Sequence, residues 1–200
     1  MIHLTTHKAV KMKNGEMGTN KMDGFTSINV SVKHNPFCQG MQKCEGKVCQ
    51  HCYAKRIYQT VENCISRNTD IMTADNFQPE FIGRQIVRLH SFGELYSELH
   101  LENIIKLVAF NPHCLFTMWT KRANIVKAVM DRLEKPVNLI LIYSSHEINM
   151  QEELPLYFNK VFTVYEKIAG VDFNCQKLCA ACMKCYNTKD RTVYINEELK

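Results

Sequence analysis

The residues best suited to chemistry in this chain are two groups of four cysteines. The first group, here called the first cysteine segment, spans residues 38–52 and ends in a Cys-x-x-Cys pair. The second cysteine segment spans residues 175–185. Their members are Cys38, Cys44, Cys49 and Cys52 in the first and Cys175, Cys179, Cys182 and Cys185 in the second. Cysteines at such spacings typically bind zinc or iron–sulfur clusters.

The surrounding sequence favours metal over disulfides. Residues 1–18 are polar and basic and lack an apolar run with a cleavage site, so we expect no export and a cytoplasmic location. Grouped cysteines in a reducing compartment indicate metal ligands. The two remaining cysteines, Cys64 and Cys114, lie within a helical and a strand pattern, and we predict that they pack as buried apolar side chains.

The spacings favour iron–sulfur clusters over zinc. Zinc sites usually combine two Cys-x-x-Cys pairs across a longer loop, whereas the first segment crowds four cysteines into one loop before a helical pattern. The second segment is close to the dense cysteine runs that bind 4Fe–4S clusters in ferredoxins. We predict one or two 4Fe–4S clusters, with zinc as the alternative at each site. Four bound thiolates would close the first cluster, and three would leave one iron open.

Strand and helix patterns alternate along the chain. The predicted strands are 25–32, 85–90, 114–119, 137–143, 160–165 and 192–195, and the predicted helices are 52–72, 76–84, 95–108 and 121–134. This alternation indicates an α/β fold, either a partial (βα)6-type barrel or a curled parallel sheet, with two cysteine-rich metal-binding loops. Residues 1–24 are predicted to form an N-terminal arm and residues 25–200 a single domain.

Polar residues follow four of the predicted strands, at the edge where α/β proteins place their chemistry. Cys38 follows the first strand, His90 and Glu94 the second, Lys121 the third and Ser144 the fourth. These side chains are candidates for binding and catalysis. A histidine or lysine at a strand end can equally be a hydrogen-bonded or solvated loop residue.

Charge and hydropathy narrow the classes of partner. The net charge is +5, with lysines and arginines spread along the chain, which permits contact with nucleic acid without indicating it. No window approaches eighteen uninterrupted apolar residues, so we expect no membrane span.

Several stretches together resemble the gene product 88 family, whose members come from phages and mobile elements. They occur in the family's order between residues 19 and 186. The stretches are Thr19-Asn20-Lys21, VCQHCYAK, Arg67-Asn68, VRLHSFGELYS, FTMWTKR and the closing Cys-x2-Cys-x2-Cys-Tyr. That family is in turn similar to compact radical S-adenosylmethionine enzymes, whose core is a six-fold βα partial barrel.

This resemblance implies roles for particular residues. The first segment would hold the active 4Fe–4S cluster and the second an auxiliary one. Ser91, Gly93 and Glu94 would bind the methionine part of S-adenosylmethionine, and His90, Glu94 and Lys121 would orient cofactor and substrate. The chain departs from the pattern in the cysteine spacing of the first segment and in Phe92, which replaces a glycine.

The leading hypothesis is therefore an iron–sulfur protein resembling radical S-adenosylmethionine enzymes, with catalysis left open. The alternative is a non-catalytic iron–sulfur or zinc-bound module that binds nucleic acid or protein. A third hypothesis is a redox protein that passes electrons between two clusters.

Overall fold

The computed structural model describes residues 3–8, 21–22, 25–56, 59–167, 170–175 and 178–199. Within these ranges one sheet contains seven strands in sequential order. The strands are β1 Thr6–Lys8, β2 Thr26–Ile28, β3 Ile86–Leu89, β4 Leu115–Thr120, β5 Leu139–Ser144, β6 Lys160–Tyr165 and β7 Tyr194–Glu198. β1 pairs with β2 in antiparallel fashion, and β2 to β7 are parallel. The carboxyl ends of six strands therefore lie along one edge.

The longer helices connect neighbouring strands between β2 and β5. The helices are α1 Pro36–Met41, α2 Gln59–Met72, α3 Glu98–Phe110, α4 Ala123–Met130 and α5 Cys179–Cys182, with 3-10 turns at Val48–His51, Tyr53–Arg56 and Lys184–Tyr186. Ser97 caps the start of α3, and its hydroxyl accepts a hydrogen bond from the amide of His100. Such a cap satisfies one of the amides that a helix start leaves unpaired.

The two faces of the sheet bury different partners because side chains alternate along a strand. Val87 and Leu89 belong to a large core that also contains residues of α3 and α4, such as Ile104 and Val126. The opposite face carries a smaller core. Its members include Phe25, Trp119, Ile140, Ile142 and Ile195 from the sheet region, together with Cys185 and Tyr186 of the C-terminal region. The second cysteine segment thus packs on the face that α3 and α4 do not cover.

The predicted α/β fold with six parallel strands is confirmed. The sheet is open, however, because β1 and β7 are its edges and no pairing among the described residues joins them into a barrel. The sequential strand order is that of a singly wound sheet. A curved sheet of the partial-barrel type stays a prediction.

One predicted helix, at 76–84, is wrong. These residues contain no helix and run as an irregular connection into β3. Pro79 supplies no amide proton and disfavours helical backbone at the residue before it. Asn111 satisfies the backbone instead, since its side chain accepts from the Ile82 amide at 2.7 Å and donates to the Glu80 carbonyl at 2.9 Å.

The predicted N-terminal arm falls largely outside the described residues. Its Thr6–Lys8 stretch forms β1. Met22 packs against the smaller core, and both Lys21 and Met22 line the cavity described below. The predicted helix at 52–72 is shorter at its start, because α2 begins at Gln59. No helix in the described part of the chain is long and apolar enough to cross a membrane.

Candidate functional site

A cavity of about 620 Å³ lies where the strand-end loops meet the face of the sheet opposite α3 and α4. The residues named from the sequence at the ends of successive strands line it: Cys38, His90, Glu94, Lys121 and Ser144. Six of the ten cysteines also line it, namely Cys38, Cys49, Cys52, Cys175, Cys179 and Cys185. The fold thus brings both cysteine segments to one cavity.

The first segment presents three of its four cysteines to this cavity. Cys38 lies on α1, Cys49 lies in the following 3-10 turn, and Cys52 comes directly after that turn. Cys44 is exposed and is absent from the cavity wall, and its thiol donates to the Gly40 carbonyl at 3.5 Å. The geometry therefore separates Cys44 from the other three.

Polar contacts position the first segment. The Asn35 side chain accepts from the amides of Phe37 and Cys38 at the start of α1, and its amide group donates to the Glu94 carbonyl at 3.0 Å. Further along, the Val48 amide donates to the carbonyl of His146 at 3.0 Å. None of the α1 residues is buried. Hydrogen bonds to neighbouring strand-end loops therefore position this segment, together with the Phe37 ring, which contacts His146 and Arg122.

Glu94 is buried at the bottom of the strand-end loops, with 6% of its surface exposed. Its carboxylate accepts from the Thr120 hydroxyl and from the amides of Leu95 and Lys121, both at 2.8 Å. Burial raises the pKa of Glu94, and these three hydrogen bonds oppose the rise. A carboxylate has about four acceptor positions, so roughly one is left for a ligand.

Lys121 places a cation beside the thiols of the first segment. Its ammonium donates to the Ser144 hydroxyl at 2.8 Å and to the carbonyls of Ser144 and Ser145 at 3.2 and 2.6 Å. An ammonium has three donors, so these contacts occupy all of them. Burial lowers the pKa of Lys121, and the neighbouring Cys49 and Glu94 oppose that shift. Lys121 is therefore fixed by the loop and acts on the cavity through its charge.

The thiols of the first segment share one electrostatic environment. Burial is the main cause that raises the pKa of Cys38, and Glu94, Cys49 and Cys52 add to it. Burial also raises the pKa of Cys49, and the positive charge of Lys121 opposes part of that rise. Without a bound cation the thiols of Cys38 and Cys49 stay protonated at neutral pH, and a metal would favour their thiolate forms.

His90 and its neighbours form an unusual strand end. His90 has a φ of 62° and is 3% exposed, and neither ring nitrogen has a hydrogen-bond partner among the described residues. Burial, followed by the charge of Arg88, lowers the pKa of His90 to about 3. The hydroxyl of Ser91 is likewise buried without a partner. Buried polar atoms in folded proteins are normally hydrogen-bonded, so a ligand or a water is expected beside these two side chains.

Gly93 allows this loop to approach Val30, two residues after the end of β2. Its φ is 98°, and a Cβ built on it would lie 2.5 Å from both the carbonyl oxygen and a side-chain methyl of Val30. Any other residue would collide with the backbone there. The glycine therefore brings Ser91 and Glu94 to the cavity wall.

The second segment reaches the cavity from the sheet face. Cys175, Cys179 and Cys185 line the cavity, and Cys182 does not. The Cys175 amide donates to the Asn196 carbonyl of β7 at 3.1 Å. Burial raises the pKa of Cys185 to about 12, and Cys175 contributes to the rise. Three thiols of this segment therefore also line the cavity.

Several cavity residues were missed from the sequence. Arg88 and Trp119 line the cavity from the face of the sheet that carries the smaller core. Lys21 and Glu197, which form an ion pair, also line it. A signal for Arg88 existed, since it stands between the buried Val87 and Leu89 in a short strand, and alternation places it on the opposite face.

Thiols are the side chains around this cavity that are best suited to bind a metal. All ten cysteines lie in described ranges and are free thiols, so the thiols are available. No group of three or more Cys, His, Asp or Glu side chains in those ranges could hold a metal ion as it stands. A single zinc ion at about 2.3 Å from each sulfur would need them within about 4 Å of one another. Six of these thiols line the cavity, so the donor type present there is the one that zinc and iron–sulfur clusters both use.

A comparison with protein families identifies the chain's relatives. The family model for gene product 88 matches residues 4–172. The chain belongs to the gene product 88 family. The matched region contains the first cysteine segment and ends before the second. No curated protein and no solved structure matches the sequence.

Family membership confirms the resemblance to this group of phage gene products, and it says nothing of a cluster or of S-adenosylmethionine. Of the eight predicted metal ligands, the structure brings six to the cavity and leaves out Cys44 and Cys182. All of the predicted catalytic and cofactor residues line the same cavity, including Ser91 and Gly93. Cys114 is fully buried in the larger core, as predicted, whereas Cys64 is half-buried.

Proposed function

We propose that this protein holds a 4Fe–4S cluster on Cys38, Cys49 and Cys52 and uses it in the manner of radical S-adenosylmethionine enzymes. The observation that carries the proposal is the division of the first segment. Three thiols line the cavity, and Cys44 points away from it. Three protein thiolates leave one iron of the cluster open, as the chemistry of that enzyme class requires.

The neighbouring residues fit a cofactor with an amine and a carboxylate. Glu94 lines the cavity and retains about one acceptor position, which suits the amine of a methionine group. The unpartnered Ser91 hydroxyl lies in the same loop. When bound and reduced, such a cluster supplies the electron that cleaves the sulfonium of S-adenosylmethionine. His90, Glu94 and Lys121 then serve as the groups that orient ligands or fix charge around it.

The second segment supports an auxiliary cluster in the same proposal. Cys175, Cys179 and Cys185 line the cavity opposite the first segment. Cys182, which lies three residues after Cys179 at the end of α5, is the candidate fourth ligand of this cluster. An auxiliary cluster there would serve electron transfer.

Anaerobic reconstitution with iron and sulfide tests the proposal. We expect iron and acid-labile sulfide to bind in equal amounts, a brown colour, and a reduced-state electron paramagnetic resonance signal that changes on addition of S-adenosylmethionine. A colourless protein that retains zinc would overturn it. A cluster whose signal ignores S-adenosylmethionine would reject the enzyme-like role and favour a binding or electron-transfer module.

A further inference from the structure

Arg88 is a cation that lines the cavity from the sheet. It lies in β3 between Val87 and Leu89, which face the larger core, so its side chain extends to the opposite face. Its guanidinium carbon is 4.0 Å from the centre of the Trp119 ring. Stacking of this kind covers one face of the planar group and leaves its edges free to donate hydrogen bonds. The ring therefore positions Arg88 without neutralising its charge.

The contacts of Arg88 leave donors unused. One terminal nitrogen donates to the sulfur of Met22 at 3.0 Å, and the guanidinium also donates to the Tyr186 hydroxyl. Both partners are neutral, and a guanidinium has five N–H donors. The Nε of Arg88 is buried without a hydrogen-bond partner among the described residues. Because a buried charge without an acceptor is unfavourable, a further acceptor is expected beside Arg88.

The carboxylates around the cavity do not neutralise Arg88. Glu94, Glu197 and Glu198 line the cavity, and in the described part of the chain none of them forms an ion pair with Arg88. Glu94 accepts hydrogen bonds from one hydroxyl and two amides. Glu197 pairs with Lys21. The missing partner of Arg88 is therefore not supplied by these side chains.

Unpartnered polar atoms gather at the carboxyl end of β3. Eight buried side-chain nitrogen or oxygen atoms of the described residues have no hydrogen-bond partner, and four of them belong to Arg88, His90 and Ser91. These three residues line the cavity, whereas the residues that carry the other four atoms do not. A neutral imidazole and a hydroxyl each carry one hydrogen-bond donor. Together with the guanidinium they form a set of donors that suits an oxyanion.

Apolar and aromatic side chains form much of the remaining wall. They include Val32, Phe92, Trp119, Phe162 and Val164. Pockets lined in this way bind the apolar body of a ligand, while a few polar groups fix its orientation. The cavity therefore suits a molecule that carries an oxyanion group on an apolar or aromatic body.

We propose that Arg88 binds the oxyanion group, a carboxylate or a phosphate, of a substrate with an apolar or aromatic body, and that His90 and Ser91 complete the donor set. Arginine recognises both oxyanions through paired N–H donors in a fixed fork. The inference goes beyond the proposed function, because all of these groups line the cavity without a bound cluster.

Titration of the full chain with benzoate and with phenyl phosphate tests the proposal. Trp119 fluorescence measures binding at this site, because Trp119 is the only tryptophan of the chain and stacks on Arg88. The two probes share an aromatic ring, so their comparison distinguishes a carboxylate from a phosphate. Benzyl alcohol is the neutral control. We expect one of the two anions to bind about tenfold or more tightly than benzyl alcohol.

Variants then assign the binding to the guanidinium. Arg88→Met should weaken binding of the preferred anion about tenfold or more, and Arg88→Lys should weaken it less, because lysine keeps the charge and loses the fork. Arg84→Met is the matched control and should bind as the unmodified protein does, because Arg84 is exposed and precedes the same strand. Thermal unfolding shows whether each variant is folded. If Arg88→Met does not fold, Arg88→Lys and Ser91→Ala decide in its place, and unchanged affinity in both would overturn the inference.

Three other results would overturn it. They are equal affinity for anionic and neutral probes, no response of Trp119 to either anion, and unchanged anion binding by a folded Arg88→Met protein. Displacement of the bound anion by S-adenosylmethionine would assign Arg88 to the cofactor's carboxylate and would also reject a substrate site. An unmodified protein that binds the anion and takes up no iron would refute the proposed function alone, so the two failures are distinct.

Discussion

The first cysteine segment connects a strand to a helix, whereas the second covers a face of the sheet. Asn35 and Val48 tie the first segment to neighbouring loops by hydrogen bonds, and no residue of α1 is buried. In the second segment, by contrast, Cys185 and Tyr186 are buried in the smaller core. Polar contacts therefore position the first segment, as is common for loops that carry functional residues. The second segment contributes side chains to the smaller core.

This difference suggests separate roles for the two segments. A loop with little apolar packing can adjust when a cluster forms, at small cost to the fold. A segment that contributes to the core changes stability whenever its side chains change. Mutations should therefore divide into those that alter the cluster and those that alter the fold.

The largest expected effect is on the fold, through Tyr186. Its ring lies 4.3 Å from that of Phe25 and 5.7 Å from that of Trp119, and its surface is 3% exposed. Replacing it with alanine removes a large buried ring, so Tyr186→Ala should lower the free energy of unfolding by about 3–5 kcal/mol. Denaturant unfolding measures the change.

The comparison variant belongs to the first segment. Asn35→Ala removes the cap of α1 and the bond to the Glu94 carbonyl, so it should cost about 1–2 kcal/mol. If Asn35→Ala destabilised the chain as much as Tyr186→Ala, the contrast between a polar loop and a packed segment would be wrong.

A pH-dependent effect concerns the strand end to which Asn35 ties the first segment. His90 lies in the same loop as Glu94, and burial lowers its pKa from 6.5 to about 3. Between these values the unfolded chain binds a proton that the folded chain does not. The free energy of unfolding should therefore fall as the pH drops below 6.5, by up to about 1.4 kcal/mol per pH unit from this group.

His90→Asn should reduce that slope, because asparagine tolerates the left-handed backbone at this position and does not titrate. Burial also lowers the pKa of His100, whose ring centre is 5.3 Å away, so part of the slope should persist. Unfolding curves between pH 4 and pH 7 measure the difference. Equal slopes in the two chains would show that His90 is not held neutral.

The sequence predicted β2 to β7 because apolar runs bounded by polar residues mark them, and it missed β1, which lies in the predicted N-terminal arm. Leu139–Ser144 and Lys160–Tyr165 are examples. It failed at 76–84, where helix-like spacing was outweighed by Pro79 and by the Asn111 side chain, a partner remote in sequence. Strand order and the open edges depend on such distant contacts as well, and periodicity does not contain them.

For the site, the sequence indicated which residues lie at the same edge of the sheet, but not which of their side chains line the cavity. The strand-end rule correctly grouped Cys38, Glu94 and Lys121 around one cavity. Spacing alone could not separate Cys44 from its neighbours, since that depends on the turn after α1. Nor could it place the second segment against the sheet face, which results from the packing of Tyr186 on Phe25.

The central claim is that three thiols of the first segment, and not four, bind the cluster. The direct measurement is iron and sulfide content, with the visible spectrum, in anaerobically reconstituted Cys49→Ala and Cys44→Ala proteins. We predict that Cys44→Ala keeps the unmodified protein's iron and spectrum, because Cys44 points away from the cavity. Cys49→Ala should lose the first cluster. Equal loss of iron from both variants would contradict the account, since it would mean that Cys44 also ligates the cluster.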